Sequence, residues 1–360
     1  MLSGQLGVGG VPKVILDISK YIQDKVDSVE VAYLGGSSEG TSLFDTEGIP
    51  TQVLGKSRFD PRLATNLLQY TREFDPDIIH THMASASALG RIISSGLGIK
   101  TISTVHNIYN KRSTIARMID HPTSILSDVI VTVTDAVQSS LPRTFAPLSD
   151  RITIHNGIDV EYVRSKGIVP WESLPWTTNI PRKVPKIANV ARFSEEKGQD
   201  DLIKAMPGVI SEYPDAILLL TGWGPYKNHL VEIANSLGVI ENIKFLDKVE
   251  NPYSVYYHSD IAAFPSKFEG FGLGLLEAMV FDCPIVATNL GPFREVLGSE
   301  YDLVPVQSPY ALEKQMLKYL SSPEQSRRDA EQTTSRVMNK FSSENMGESY
   351  LRLYNSLVNY

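Results

Sequence analysis

This sequence of 360 residues predicts an α/β fold built from two parallel sheets wrapped by helices, on three observations. Apolar strand-like runs alternate with amphipathic helix-like runs, which is the pattern of parallel sheets covered by helices. The chain is longer than one core ordinarily organises, so two domains of roughly 150 to 200 residues are expected. A stretch rich in proline and tryptophan, without clear periodicity, separates two series of such runs.

In the first series, residues 29–34, 77–81, 100–105, 129–132 and 151–154 read as strands, and 62–74, 85–95 and 115–127 as helices. In the second, 186–190, 216–221, 243–246, 260–264 and 284–288 read as strands, with helices at 199–212 and 227–237 among them. The break at 162–183 holds Pro170, Trp171, Pro175, Trp176 and Pro181. Proline there opposes both a continuous helix and a central strand. The domains expected are 1–165, a linker 166–185, 186–340, and a helical closing segment 341–360.

Composition excludes several function classes. A hydrophobic content of 42% and a charged content of 21% are ordinary for a globular protein. The formal charge of -7 offers no basic excess to displace phosphate counterions, which opposes general nucleic-acid binding. Cys283, the single cysteine, lies between a helix and an apolar strand and reads as a core residue in a reducing compartment. No apolar run is long enough to span a bilayer, and the first residues lack the features of a signal peptide. A cytoplasmic location is therefore expected.

The most informative segment is Ser-Lys-Phe-Glu-Gly-Phe-Gly-Leu-Gly-Leu-Leu-Glu, from Ser266 to Glu277. Strand 260–264 precedes it and a helix follows, so the loop sits at a strand's carboxyl end, where ligands collect in open parallel sheets. Gly270, Gly272 and Gly274 free backbone N–H groups at a helix start, ready donors to phosphate or hydroxyl oxygens. Glu269 and Glu277 bracket this turn. A second constellation, Ala191-Arg-Phe-Ser-Glu-Glu-Lys-Gly, falls between strand 186–190 and helix 199–212. Arg192 and Lys197 would project there, a guanidinium fork and a compact ammonium suited to a diphosphate.

A Glu, seven residues and a second Glu, with Gly-Phe-Gly-Leu between, resembles the signature of retaining GT-B glycosyltransferases of family 4, and the resemblance covers nearly the whole chain. It implies two Rossmann-like domains with parallel sheets facing an interdomain cleft. It further implies that Glu269 faces the donor sugar's hydroxyls, that the loop backbone at Gly270, Phe271, Gly272 and Leu273 meets sugar and diphosphate, and that Glu277 binds the ribose. Arg192 and Lys197 then stabilise the charge on the departing nucleoside diphosphate. His106, in Thr104-Val-His-Asn at the end of strand 100–105, resembles the family's histidine facing the donor sugar. Leu6-Gly-Val-Gly-Gly-Val-Pro resembles its first glycine loop, with Gly9 and Gly10 admitting donor or acceptor. Relatives carry an apolar strand before that loop; Met1-Leu-Ser-Gly-Gln-Leu offers none, so the first strand is expected to be missing or truncated.

Other patterns point elsewhere than to a site. Asp75-Pro-Asp77 reads as a turn after a helix. His80-Thr-His82 sets two imidazoles on one strand face with no evident third ligand, so no metal is assigned. Gly7-x-Gly9 lacks the third glycine of a dinucleotide fingerprint, Pro12 standing there. His155-Asn-Gly-Ile-Asp reads as a hinge.

The function expected is transfer of a hexose-type sugar from a nucleoside-diphosphate sugar to a glycan, glycolipid or other hydroxyl acceptor, with retention and without metal or other cofactor. UDP and GDP are both open as the nucleotide. Tyr109-Asn-Lys-Arg-Ser-Thr-Ile-Ala-Arg-Met mixes basic and apolar residues, leaving peripheral membrane contact open beside a solvated helix face. A nucleotide-sugar epimerase or a non-catalytic partner subunit are the alternatives.

Overall fold

The computed structural model describes residues 1–7, 9–57 and 59–358. Val8 of the glycine loop, and Asn359 and Tyr360 of the closing segment, lie outside the described residues. The chain forms two compact units, Met1–Gly157 with Ser342–Tyr360, and Ile158–Phe341.

The first unit is a seven-stranded parallel sheet of order β3-β2-β1-β4-β5-β6-β7. Its strands are β1 (Leu2–Ser3), β2 (Val31–Tyr33), β3 (Thr51–Val53), β4 (Ile78–His82), β5 (Lys100–Val105), β6 (Val129–Thr132) and β7 (Asp150–Thr153). The first strand is present but only two residues long. Leu2 pairs with Ala32 and Thr81, and Ser3 with Tyr33 and His82, so this short piece fills the place between β2 and β4. Both residues are buried, and Ala32 and Leu34 donate to the carbonyls of Met1 and Ser3, leaving no gap in the ladder.

The helix Gly10–Ile22 turns Val14, Ile15, Ile18 and Ile22 inward, and the closing helix Ser343–Val358 packs beside it. Gly347 makes that approach close: a Cβ there would stand 2.3 Å from the Tyr21 ring. On the other side, Arg91 is fully buried and pairs with Asp120 at 2.6 Å, whose second oxygen takes Arg112 at 2.6 Å. Removing one partner of such a network strands a buried charge, at a cost of about 3–5 kcal/mol.

The second unit is a five-stranded parallel sheet of order β10-β9-β8-β11-β12. Its strands are β8 (Lys186–Val190), β9 (Ile217–Thr221), β10 (Ile243–Asp247), β11 (Ile261–Phe264) and β12 (Ile285–Ala287). Leu218, Leu220, Ile261, Ala263 and Val286 meet Leu202, Met206 and Met316 in its core. Residues 166–185 are part of this unit and not a free linker. Trp171 is buried edge-on against Trp176, 5.4 Å between ring centres, and Trp176 Nε1 donates to Ser254 Oγ at 3.1 Å. The prolines do break regular structure there, yet the indoles carry enough apolar surface to dock the segment. The units divide instead at Gly157, where a Cβ would stand 2.1 Å from the Ser342 carbonyl oxygen. No described helix is long and apolar enough to cross a membrane.

Candidate functional site

Strands β8 and β11 are parallel neighbours, so the loops that leave them emerge at the same end of the second sheet. Gly198 lets the two loops touch: it has φ +67, and a Cβ would fall 2.0 Å from the Pro265 carbonyl oxygen. Further bonds fasten the contact. Lys267 N–H donates to the Glu196 carbonyl at 2.8 Å, Thr288 Oγ1 to the Ser266 carbonyl at 2.6 Å, and Gln199 Nε2 to the Arg192 carbonyl at 3.0 Å. The consequence is an ion pair between Lys197 Nζ and Glu269 Oε1 at 2.5 Å, residues far apart in sequence. Ser266 Oγ donates to the same carboxylate oxygen at 3.0 Å. The two charged side chains are 25% and 15% exposed, partly withdrawn from water but reachable.

Arg192 stands in the same β8 loop. Its guanidinium pairs with Glu196 and is 58% exposed, so the cation projects into solvent at the carboxyl end of the sheet. Glu277 lies inside the helix Leu273–Met279, which Gly272 opens at φ +101, where a Cβ would meet the Phe293 ring at 2.6 Å. Tyr256 is its neighbour. Burial, with the Glu277 carboxylate adding to it, pushes that phenol's pKa well above its usual range. Arg192, Lys197, Glu269, the 270–274 loop and Glu277 therefore share one end of one sheet.

A third loop at this end carried no assignment from the sequence. After β9, Thr221-Gly-Trp-Gly-Pro folds over residues 191–193, with Gly222 at φ +148 and Gly224 at φ +154. A Cβ on either would strike backbone oxygen, Ala191 at 1.9 Å or Phe193 at 2.2 Å. Phe193 N–H donates to the Trp223 carbonyl at 2.9 Å, and Tyr226 N–H to the Phe193 carbonyl at 3.2 Å. Arg192 thus springs from backbone clamped on both sides. Two glycines around one residue at a strand's end, followed by proline, were the available signal.

In the first unit, Gly9 precedes the helix that Gly10 opens, and a Cβ on Gly9 would meet nothing within 4 Å. Its place in the loop leaves open approach and not a steric need of this chain. His106 follows β5, half-buried, with Nε2 2.9 Å from His82 Nδ1. Burial, and then the nearby Arg112, lower its pKa to about 4, so the imidazole is neutral at neutral pH. His80 and His82 are engaged in hydrogen bonds within this unit. His80 Nδ1 meets the Tyr354 hydroxyl at 2.6 Å and its Nε2 the Thr104 hydroxyl at 2.7 Å. Asp75 is the left-handed cap of the helix Leu63–Phe74. Cys283 is buried, and burial raises its thiol pKa, as suits an unreactive core residue.

Two family profiles match this chain, Glycosyltransferase Family 4 over residues 8–162 and Glycosyl transferases group 1 over residues 172–336. The chain belongs to the group 1 glycosyltransferases of family 4. Among its relatives is the D-inositol 3-phosphate glycosyltransferase of Corynebacterium urealyticum, 27% identical over 356 residues, spanning 91% of this chain and 83% of that one. The N-acetyl-alpha-D-glucosaminyl L-malate synthase of Bacillus anthracis is 25% identical over 305 residues, 82% of this chain and 79% of the relative. An uncharacterized glycosyltransferase of Methanocaldococcus jannaschii is 27% identical over 256 residues, 66% of this chain and 62% of the archaeal protein's length. Anabaena HepE in complex with UDP superposes with TM-score 0.83 at 20% identity, covering 99% of this chain and 98% of that one. With the two parallel sheets described above, that likeness makes the fold GT-B.

Proposed function

We propose that this glycosyltransferase moves a hexose-type sugar, with retention, from a nucleoside-diphosphate sugar to a glycan, glycolipid or other hydroxyl acceptor in polysaccharide or glycoconjugate synthesis. The observation that carries this reading is the Lys197–Glu269 pair between two strand-to-helix loops. Each partner holds the other in place before substrate arrives, so a cation and a carboxylate are ordered in advance for a diphosphate and a sugar. In this reading Arg192 and Lys197 neutralise the diphosphate, Glu269 orients the sugar hydroxyls and supports positive charge at the anomeric carbon, and Glu277 takes the ribose. The loop amides at Gly270, Phe271, Gly272 and Leu273 add donors, and Gly9 and Gly10 leave open approach. His106 hydrogen-bonds the sugar. The leaving phosphate assists departure of the acceptor proton, and with two protein cations present no metal is required.

UDP is the favoured nucleotide, because HepE was crystallised with UDP and with UDP-glucose. A thermal-shift screen against UDP, GDP and ADP then shows the largest rise with UDP. Transfer from an α-linked donor yields an α-linked product by NMR and persists in EDTA. Inversion at the anomeric carbon, or loss of transfer in EDTA, overturns the corresponding part of the reading.

We also propose peripheral contact of this cytoplasmic enzyme with an anionic membrane face. The helix Thr114–Thr123 exposes Ile115 by 69%, Met118 by 71% and Ile119 by 42%, with Lys111 and Arg117 nearby. An apolar helix face beside cations suits the headgroup boundary. Sedimentation with vesicles containing an anionic lipid should carry the protein down, and Ile115→Glu with Met118→Glu should leave it in solution. Equal recovery of both proteins in the pellet, or of neither, argues against the contact.

A further inference from the structure

Three imidazoles line up in the first unit. His80 and His82 project from the same face of β4, 4.2 Å between ring centres, and parallel pairing with β5 brings His106, which follows that strand, to 5.2 Å from His82. His80 is bonded to a hydroxyl at each nitrogen. A hydroxyl donates or accepts equally well, so neither bond decides which nitrogen of His80 bears the proton. His82 differs. It is fully buried, its Nδ1 lies 2.9 Å from His106 Nε2, and its own Nε2 is buried with no hydrogen-bond partner among the described residues. Burial lowers the pKa of both rings, so each is neutral at neutral pH and carries one proton.

Only one proton can lie between the two facing nitrogens, and there are two ways to supply it. With His106 Nε2–H donating, His82 must keep its proton on Nε2, where a buried N–H finds no acceptor. With His82 Nδ1–H donating, the group left over is a bare ring nitrogen. Either way one buried nitrogen of His82 goes unpaired, and an orphaned buried N–H is the rarer of the two in protein interiors. The second arrangement wins.

We propose that His82 is a positioning residue that holds His106 as its Nδ1–H tautomer, so that His106 meets the substrate as a hydrogen-bond donor and not as a base. The inference rests on the contact proposed above between His106 and the sugar, and it adds which nitrogen acts and in which sense. A donor at that point serves a sugar oxygen; removal of the acceptor's proton is left to the departing phosphate.

The test uses the full chain labelled with 15N-histidine and free of ligand, with His106→Gln to assign the His106 signals in long-range 1H–15N spectra. The expected signature is a protonated Nδ1 and a bare Nε2. In His82→Leu that signature is lost, because the freed ring can carry its proton on either nitrogen. Transfer kcat/KM falls about tenfold, the effect of one neutral hydrogen bond. His82→Asn places an amide N–H near the former Nδ1–H and restores both the signature and most of the transfer. A protonated Nε2 on His106 in the unaltered protein overturns the proposal, and so does an unchanged signature in a His82→Leu protein that has lost transfer. If His82→Leu does not fold, the unaltered protein and His82→Asn decide the matter between them. Undiminished transfer in His106→Gln removes His106 from the reaction and overturns the second half of the proposal, while the spectrum still judges the first.

Discussion

Lys197→Ala and Glu269→Ala each lower kcat/KM about 10²- to 10³-fold, the usual effect of deleting one electrostatic stabiliser at a reacting centre. The folded state changes much less. The pair is partly exposed, so the loss of either partner costs about 1 kcal/mol of stability, a shift of a few degrees in the melting temperature. Lys197→Ala leaves Glu269 with Ser266 Oγ as its bonded partner, and the nucleoside diphosphate meets one cation fewer. Glu269→Gln keeps the shape and removes the charge, which separates positioning of the sugar from support of its positive charge. Because the two side chains touch, the double variant loses less than the product of the single losses. Nucleotide release under matched folding, checked by circular dichroism, is the measurement; near-wild-type turnover in either single variant would falsify the assigned roles.

Acidification from pH 7.5 to pH 5 destabilises the first unit. His80, His82 and His106 all have folded-state pKa values below 6.5, the last at about 4, in each case chiefly through burial. Below pH 6.5 the unfolded chain therefore takes up protons that the folded chain refuses. Stability is present in full above that pH and is lost as pH falls toward the folded values. For His106 the window is worth about 2 kcal/mol after a discount for its partial exposure, and the two fully buried rings add in the same direction. Asp60, whose carboxyl Arg62 holds below the usual carboxylate range, acts only at more acid pH, while the buried Met1 amino group, lowered to about 5 by burial, adds its own loss in the same direction within this range. Melting followed from pH 7.5 to 5 should show a falling midpoint, with a shallower slope in His106→Gln. A flat profile in the unaltered protein would count against the buried neutral triad.

Much of the second sheet was legible because its strands are buried on both faces and read as continuous apolar runs. Residues 186–190 were expected and β8 is Lys186–Val190; 260–264 were expected and β11 is Ile261–Phe264. Edge and truncated strands were harder. Thr51–Val53 is half exposed and carries no apolar run, and Leu2–Ser3 has too few residues to show a period, so neither gave a strand signal. At the site, glycine placement marks the 270–274 loop, whereas Gly222 and Gly224 have no charged residue beside them to point to a ligand. The joining of Lys197 to Glu269 and of His82 to His106 was hidden for another reason. Each depends on which strands are neighbours, β8 with β11 and β4 with β5, and strand order is not written in local pattern.

Tyr350 and Tyr354 of the helix Ser343–Val358 are buried against Thr104 and His80, so the final segment of the chain completes the interior of the unit built from its beginning. During synthesis residues 1–157 must wait, with that wall of their interior open, until the whole second unit and the helix that carries Tyr350 and Tyr354 have left the ribosome. A chain cut short before Ser343 would therefore harm the half of the protein translated first.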